Sequence, residues 1–230
     1  MKYYTFEPAC DTKETGPVYP QIQKWKPGYD SNSATSFYSY LKKSKDVFAD
    51  FIPNLDGLIV NGRARPTDLV SSFTSGGFIV SEKLKLIFEK HNLAPHRFYP
   101  AKVIYKSKNL EGYFWMHVIS NLTDFIDYSD SAFVISKHFD PSPIPIKLIS
   151  KENYLEKAKS LEDDYSKNNG SYLSIKSEKL KLDDRFDRKL DFFTIGNFDN
   201  RFYISQDLRD SIIENHITGC DIKPANHIMI

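Results

Sequence analysis

Residues 78–101 read FIVSEKLKLIFEKHNLAPHRFYPA, and residues 202–225 read FYISQDLRDSIIENHITGCDIKPA. They align without a gap at an offset of 124, and their reading decides the fold. Phe78/Phe202, Ser81/Ser205, Leu84/Leu208, Pro100/Pro224 and Ala101/Ala225 are identical pairs. Val80/Ile204, Lys85/Arg209, Phe88/Ile212, Leu93/Ile217 and Phe98/Ile222 are conservative ones. In each copy a β-branched and aromatic run at 78–80 or 202–204 predicts a strand. Ser81 and Ser205 then stand where a helix N-cap belongs, with Glu82 or Asp207 in the first turn to suit the helix dipole. Leu84, Ile87, Phe88 and His91 fall at i, i+3, i+4 and i+7, one helical stripe, and Leu208 and Ile212 repeat its centre. Pro95 bars continuation in the first copy, and Gly219 predicts a helix stop in the second. Phe98, Tyr99 and Ile222 open the next strand. The shared positions are those that folding needs, and none carries chemistry. A chance likeness of two ordinary strand–helix units is the alternative to a true internal repeat, and the common Pro-Ala ending favours the repeat.

Outward from these units the chain reads as α+β with a mixed, mainly antiparallel sheet. Residues 2–6 predict a first strand. Residues 10–34, rich in Pro, Gly, Asp, Ser and Thr, predict a long irregular segment, and a loop of that length is either functional or packed through its own side chains. It carries Tyr19, Trp25, Lys26 and Tyr29. Aromatic and basic side chains are typical interface anchors, so these four are the candidate partner-binding residues. The competing reading is that Trp25 pins the loop onto the core. Residues 35–52 fit a helical stripe through Phe37, Tyr40, Leu41, Val47, Phe48 and Phe51, broken by the polar run at 42–45. A turn at 54–57 precedes a strand at 58–60. A strand at 103–105, a hairpin loop at 107–112 and a strand at 113–119 follow; the last is apolar on both faces and therefore central. His117 within it reads as a buried, hydrogen-bonded histidine. Asp124, Asp127 and Asp130 read as turn acids or caps. Residues 151–166 predict a charged helix with Tyr154, Leu155, Ala158 and Leu161 as its apolar face, ended by Asn168, Asn169 and Gly170. Leu173, Ile175, Leu180 and Leu182 predict a strand, the mixed-charge run 183–189 a solvated surface, and 192–195 a further strand. The stiff Pro141-to-Pro145 segment marks the best boundary. It divides the chain into an N-terminal part, 1–140, with the first unit and a C-terminal part, 146–230, with the second, unless the two form one continuous domain.

Composition narrows the function classes. The chain has 230 residues, 40% hydrophobic and 14% aromatic, with 31 basic against 30 acidic side chains. This balance gives no electrostatic case for nucleic acid as a partner. Two cysteines, Cys10 and Cys220, do not make a disulfide scaffold and fit reduced thiols. No run approaches the roughly 20 apolar residues of a membrane span, and the start has no signal-peptide stretch, so a cytoplasmic location and no membrane partner are expected. Dinucleotide, phosphate-loop, zinc and nucleophile-elbow motifs do not occur. No catalytic, cofactor-binding or metal-ligating residue is therefore nominated, and His216 with Cys220 is only a formal Cys/His pair.

The order of elements, with Ser81, Leu84, Phe98, Tyr99, Pro100, Asp127, Ser131, Phe193, Ser205, Leu208, Gly219 and Pro224, resembles a bacterial family. First catalogued as a domain of unknown function, that family was later assigned as immunity proteins of polymorphic toxin systems, with a myxobacterial namesake. The likeness runs from about residue 40 to the end and is weaker before that. It implies a cytoplasmic protein, encoded beside a toxin, that neutralises its cognate toxin by binding and without catalysis. It brings no catalytic residues, because the shared positions are core and turn positions. A small-molecule enzyme with an unrecognised site and an adaptor or structural module are the alternatives.

Overall fold

In the computed structural model, residues 2–137, 142–168, 173–196 and 199–230 are described. The strands are β1 (Tyr3–Pro8), β2 (Ile22–Trp25), β3 (Asp56–Val60), β4 (Leu69–Val70), β5 (Gly77–Ser81), β6 (His96–Pro100), β7 (Lys102–Tyr105) and β8 (Lys108–Leu110), then β9 (Tyr113–Val118), β10 (Ala132–Lys137), β11 (Ile144–Ile146), β12 (Leu173–Lys181), β13 (Phe192–Gly196), β14 (Asp199–Ser205), β15 (Cys220–Pro224) and β16 (Ile228–Met229). The helices are α1 (Thr12–Thr15), α2 (Phe37–Lys43), α3 (Glu82–Phe88), α4 (Lys151–Asn168) and α5 (Gln206–Glu214). Four sheets result, ordered β2-β3-β7-β8, β4-β5-β9-β6, β11-β10-β12-β16 and β13-β14-β1-β15. The fold is α+β, and its pairings are antiparallel except β3 with β7 and β12 with β16.

The two strand–helix–strand units match in detail. Ser81 and Ser205 are both N-caps in extended backbone, each accepting from the amide three residues on, Leu84 and Leu208, at 3.2 Å. Each serine hydroxyl also donates to an aspartate, Ser81 to Asp68 at 2.7 Å and Ser205 to Asp191. Each aspartate reaches across to the loop after the other unit's helix: Asp68 accepts from the Thr218 amide at 3.0 Å and Asp191 from the Asn92 amide at 2.9 Å. Phe78 and Phe202, equivalent residues, touch with ring centroids 4.5 Å apart. The units thus face each other about a local pseudo-twofold axis.

The equivalence extends beyond the aligned stretches. Sheets β4-β5-β9-β6 and β13-β14-β1-β15 share strand order and register. Val80 opposes Phe114 and Pro100 opposes Phe114, as Ile204 opposes Tyr4 and Pro224 opposes Tyr4. So β1, at the start of the chain, fills in the second unit the place that β9 fills in the first. Tyr113 donates to the Thr67 carbonyl at 3.0 Å, and its counterpart Tyr3 donates to the Leu190 carbonyl at 3.2 Å. Lys85 lies over the Phe114 ring and Arg209 over Tyr4.

Two cores lie on the faces of β5 and β9. Phe78, Val80, Met116 and Val118 enter a large cluster with Phe6, Phe88, Phe192, Phe193 and Tyr203. Ile79 and Trp115 enter a smaller one with Phe37, Tyr40, Leu58 and Val103. A strand with apolar residues on both faces is buried on both, which accounts for the run at 113–119. The large cluster draws on residues from Tyr3 to Ala225.

Several expectations are corrected. Residues 10–34 are not irregular throughout: they contain α1 and β2. The register of β2 on β3 slips between Ile22 and Lys24, and such a bulge erases the alternation that announces a strand. Helix in 35–52 is confined to α2, because Ser44 turns the chain, donating its amide to the Leu41 carbonyl and accepting the Ala49 amide at its hydroxyl. The loop at 107–112 contains β8, and its turn is Lys106 and Ser107, both at positive φ. His91 lies past the end of α3. Gly219 does not stop α5, which ends at Glu214 with His216 at φ 49°; Gly219, at φ 84°, abuts the Leu69 carbonyl, where a Cβ would lie 2.2 Å from the oxygen. Leu155 is half exposed rather than on the packed face of α4. Phe186 in the mixed-charge run is buried in the large core. Pro141 at the expected boundary, Asn169 and Gly170 at the expected helix end, and His138 lie outside the described residues.

Candidate functional site

Trp25, Lys26 and Tyr29 come together on β2 and the turn after it. The Trp25 and Tyr29 rings stack at 4.0 Å and 6°, and Trp25 meets Phe73 edge-on at 5.5 Å. The Trp25 indole donates to the Tyr38 hydroxyl at 3.2 Å. The Tyr29 hydroxyl accepts from the Phe37 amide and donates to the Asn54 carbonyl, both at 2.9 Å. Lys26 pairs with Asp56, whose carboxyl is held below its usual range first by that hydrogen bond and against some desolvation. All three side chains are partly exposed, and the result is an aromatic patch beside the ion pairs of Asp56 with Lys26 and Lys102. Tyr19 lies elsewhere: 57% exposed, it lines a cleft of about 810 Å³.

Sequence reasoning missed that cleft. Its walls are the end of β1 (Phe6, Glu7, Pro8), residues 174–177 of β12 and residues 199–202 of β14, with Phe78 and Phe202 from the pseudo-twofold contact. In and behind this wall lies a polar cluster around the buried Asp199 and Tyr203. Asp199 receives two hydrogen bonds from the Arg201 guanidinium, at 2.9 and 2.6 Å, and one from the Tyr203 hydroxyl at 2.7 Å. The Tyr203 oxygen is 2.7 Å from His227 Nε2. The tyrosine has one proton and the carboxylate only accepts, so His227 donates to the tyrosine oxygen. Burial alone would raise the Asp199 carboxyl, but the donors from His227, Arg201 and Tyr203 outweigh it and hold it well below the carboxylate range. Burial, and next the Asp199 charge, pushes the Tyr203 hydroxyl up. The four side chains are thus bonded to one another. Their spacing, Asp199 and Tyr203 at strand positions i and i+4 with His227 beyond β15, carries no local signature.

The remaining candidates have structural roles. His117 is buried, 3.3 Å from the Tyr40 hydroxyl, and desolvation, helped by Arg97, lowers its pKa to about 4. Asp127 caps the turn that follows it, accepting the Ser129 and Asp130 amides, and pairs with Lys181. Asp124 pairs with Lys151. Cys10 and Cys220 are free thiols, and burial pushes the Cys220 thiol up, away from thiolate chemistry. Among the described residues no His, Cys, Asp or Glu group forms a metal-binding cluster, and no helix is long and apolar enough to cross a membrane.

The chain is thus an α+β protein of paired strand–helix–strand units, with an aromatic patch and a cleft walled by strands. Residues 2–227 match the immunity protein family Imm11, and the chain belongs to that family. The match begins at residue 2, earlier than the start near residue 40 of the sequence likeness, and so takes in β1. No curated protein matches the chain.

Proposed function

We propose that this protein neutralises a cognate toxin in the cytoplasm by binding it, with no chemical step and no nucleic-acid partner. Membership of the immunity family across residues 2–227 carries this reading. The bonding of Asp199, Arg201, Tyr203 and His227 to one another supports it. Trp25, Lys26 and Tyr29 form one contact surface, with Tyr19 in a second. Stacked aromatics of fixed rotamer lose little entropy on binding, which suits them as anchors. The test is co-expression with the toxin encoded beside the gene. Wild type restores growth and co-purifies with the toxin, whereas Trp25→Ala folds but protects less. Equal protection by the folded variant overturns the role of the patch.

A second reading is an enzyme that modifies its partner, with the Asp199 cluster beside the cleft as its polar site. That reading requires Tyr203→Phe to bind toxin normally and yet fail to protect; under the binding reading Tyr203→Phe protects whenever it binds. Common descent of the two units from one duplicated segment is also proposed. It is supported by the shared register of their sheets and the matching Tyr3 and Tyr113 hydrogen bonds.

A further inference from the structure

The wall of the cleft has an unusual composition. Residues 174, 175, 176 and 177 of β12 all line it. Side chains of a strand alternate between its faces, so a wall made of consecutive residues is the strand's edge. On its other side this part of β12 pairs with β10, from Lys137 opposite Leu173 to Phe133 opposite Ser177. The parallel strand β16 reaches only Leu180 and Lys181, so among the described residues no strand pairs with 174–177 on the cleft side. The opposite wall is similar. β1 pairs with β14 as far as Phe6 opposite Phe202, and Asn200 and Arg201 lie past the last pair. The cleft is thus bordered by two stretches of strand edge, over a floor that includes Ile175, Phe78 and Phe202.

Beside the charged side chains of Glu7 and Lys176, the site offers backbone hydrogen bonding. Asp199 is already engaged, holding Arg201 and Tyr203 and accepting from Ser177 at 3.4 Å. Unpaired strand edges next to apolar pockets recognise an extended polypeptide, with main-chain bonds for affinity and alternate side chains for specificity. Exposed edges invite aggregation, and recessing the edge inside a cleft admits one strand while excluding sheet-to-sheet pairing. We propose that the cleft receives an extended segment of the partner protein, which adds as a strand to the edge of β12 at 174–177, its apolar side chains on Ile175 and Phe202 and its rim contacts on Tyr19 and Asn200. This rests on the reading of the protein as a toxin binder and goes beyond it by naming the surface and the conformation bound.

The test uses the full chain and the toxin encoded beside its gene. Hydrogen–deuterium exchange of the complex against the free chain is expected to show new protection at the alternate amides of 174–177 that point away from β10. Asn200→Trp, at an exposed position that fills the mouth, is expected to keep the wild-type melting temperature and lose at least tenfold in affinity. Unchanged affinity and no new protection at 174–177 overturn the proposal while leaving toxin binding intact. Failure of the wild-type chain to bind the toxin instead overturns the functional reading. Protection that appears without toxin as the chain is concentrated assigns the cleft to a second copy and also overturns it. If Asn200→Trp does not fold, the exchange result on the wild-type complex decides.

Discussion

Asp68 and Asp191 each hold two things at once: the serine that caps their own unit's helix, and the loop after the other unit's helix. Removing only the cap, Ser81→Ala or Ser205→Ala, is expected to cost about 1 kcal/mol. Asp68→Ala or Asp191→Ala strands several donors together and is expected to cost about 2–3 kcal/mol, read from urea denaturation midpoints at constant m-value. Both serines are legible in the sequence because a cap bonds three residues on. The aspartates are not, because Asp68 meets Thr218 across 150 positions and Asp191 meets Asn92 across 99. His117 gives a pH signature. Its folded pKa, about 4, lies below the unfolded value of about 6.5, so the unfolded chain takes up the proton first as pH falls. Its contribution is complete above about pH 6.5 and is lost between there and about pH 4, amounting to about 3 kcal/mol at most. His117→Phe should flatten that part of the stability–pH curve; an unchanged slope would show that other groups set it.

At the level of elements, the Phe78–Phe202 contact joins the two units. Each Phe→Ala change is expected to cost about 2–4 kcal/mol, and the double variant to depart from additivity by about 1 kcal/mol in a double-mutant cycle. Strict additivity would mean that the units do not communicate through these rings. The paired units were legible because their signals are local: β-branched runs, caps and a helical stripe. The alternation of β12 was legible in two halves, odd at Leu173 and Ile175 and even at Leu180 and Leu182. The phase change between them is the bulge at Glu178, where Ser177 opposes Phe133 but Lys179 opposes Ala132. β2 was not legible, since a four-residue strand with a register slip and one buried side chain leaves no period to read. Of the four residues nominated from the segment 10–34, Trp25, Lys26 and Tyr29 lie together and Tyr19 lies apart, which nearness in sequence alone could not tell. The cleft was not legible, because its walls are backbone edges from three distant segments.

At the scale of the whole molecule, the sheet of the second unit depends on a strand from the opposite end of the chain. A fragment of residues 142–230 lacks β1, the interior strand of β13-β14-β1-β15. It is expected to show no cooperative melting transition by circular dichroism. Linking residues 2–9 to its C-terminus is expected to improve folding, with the remaining apolar face still lacking the first unit. A cooperative transition in the unmodified fragment would refute this dependence.

That dependence has a consequence for biosynthesis. β1 leaves the ribosome almost 200 residues ahead of β14, and β15 follows later still. At translation rates of about 5–20 residues per second it waits roughly 10–40 s for its neighbours. Under the proposed function, protection would begin only once the last strands have been made. A cell making toxin and antidote together would then need antidote translation to be finished, and not merely begun, before the toxin is active.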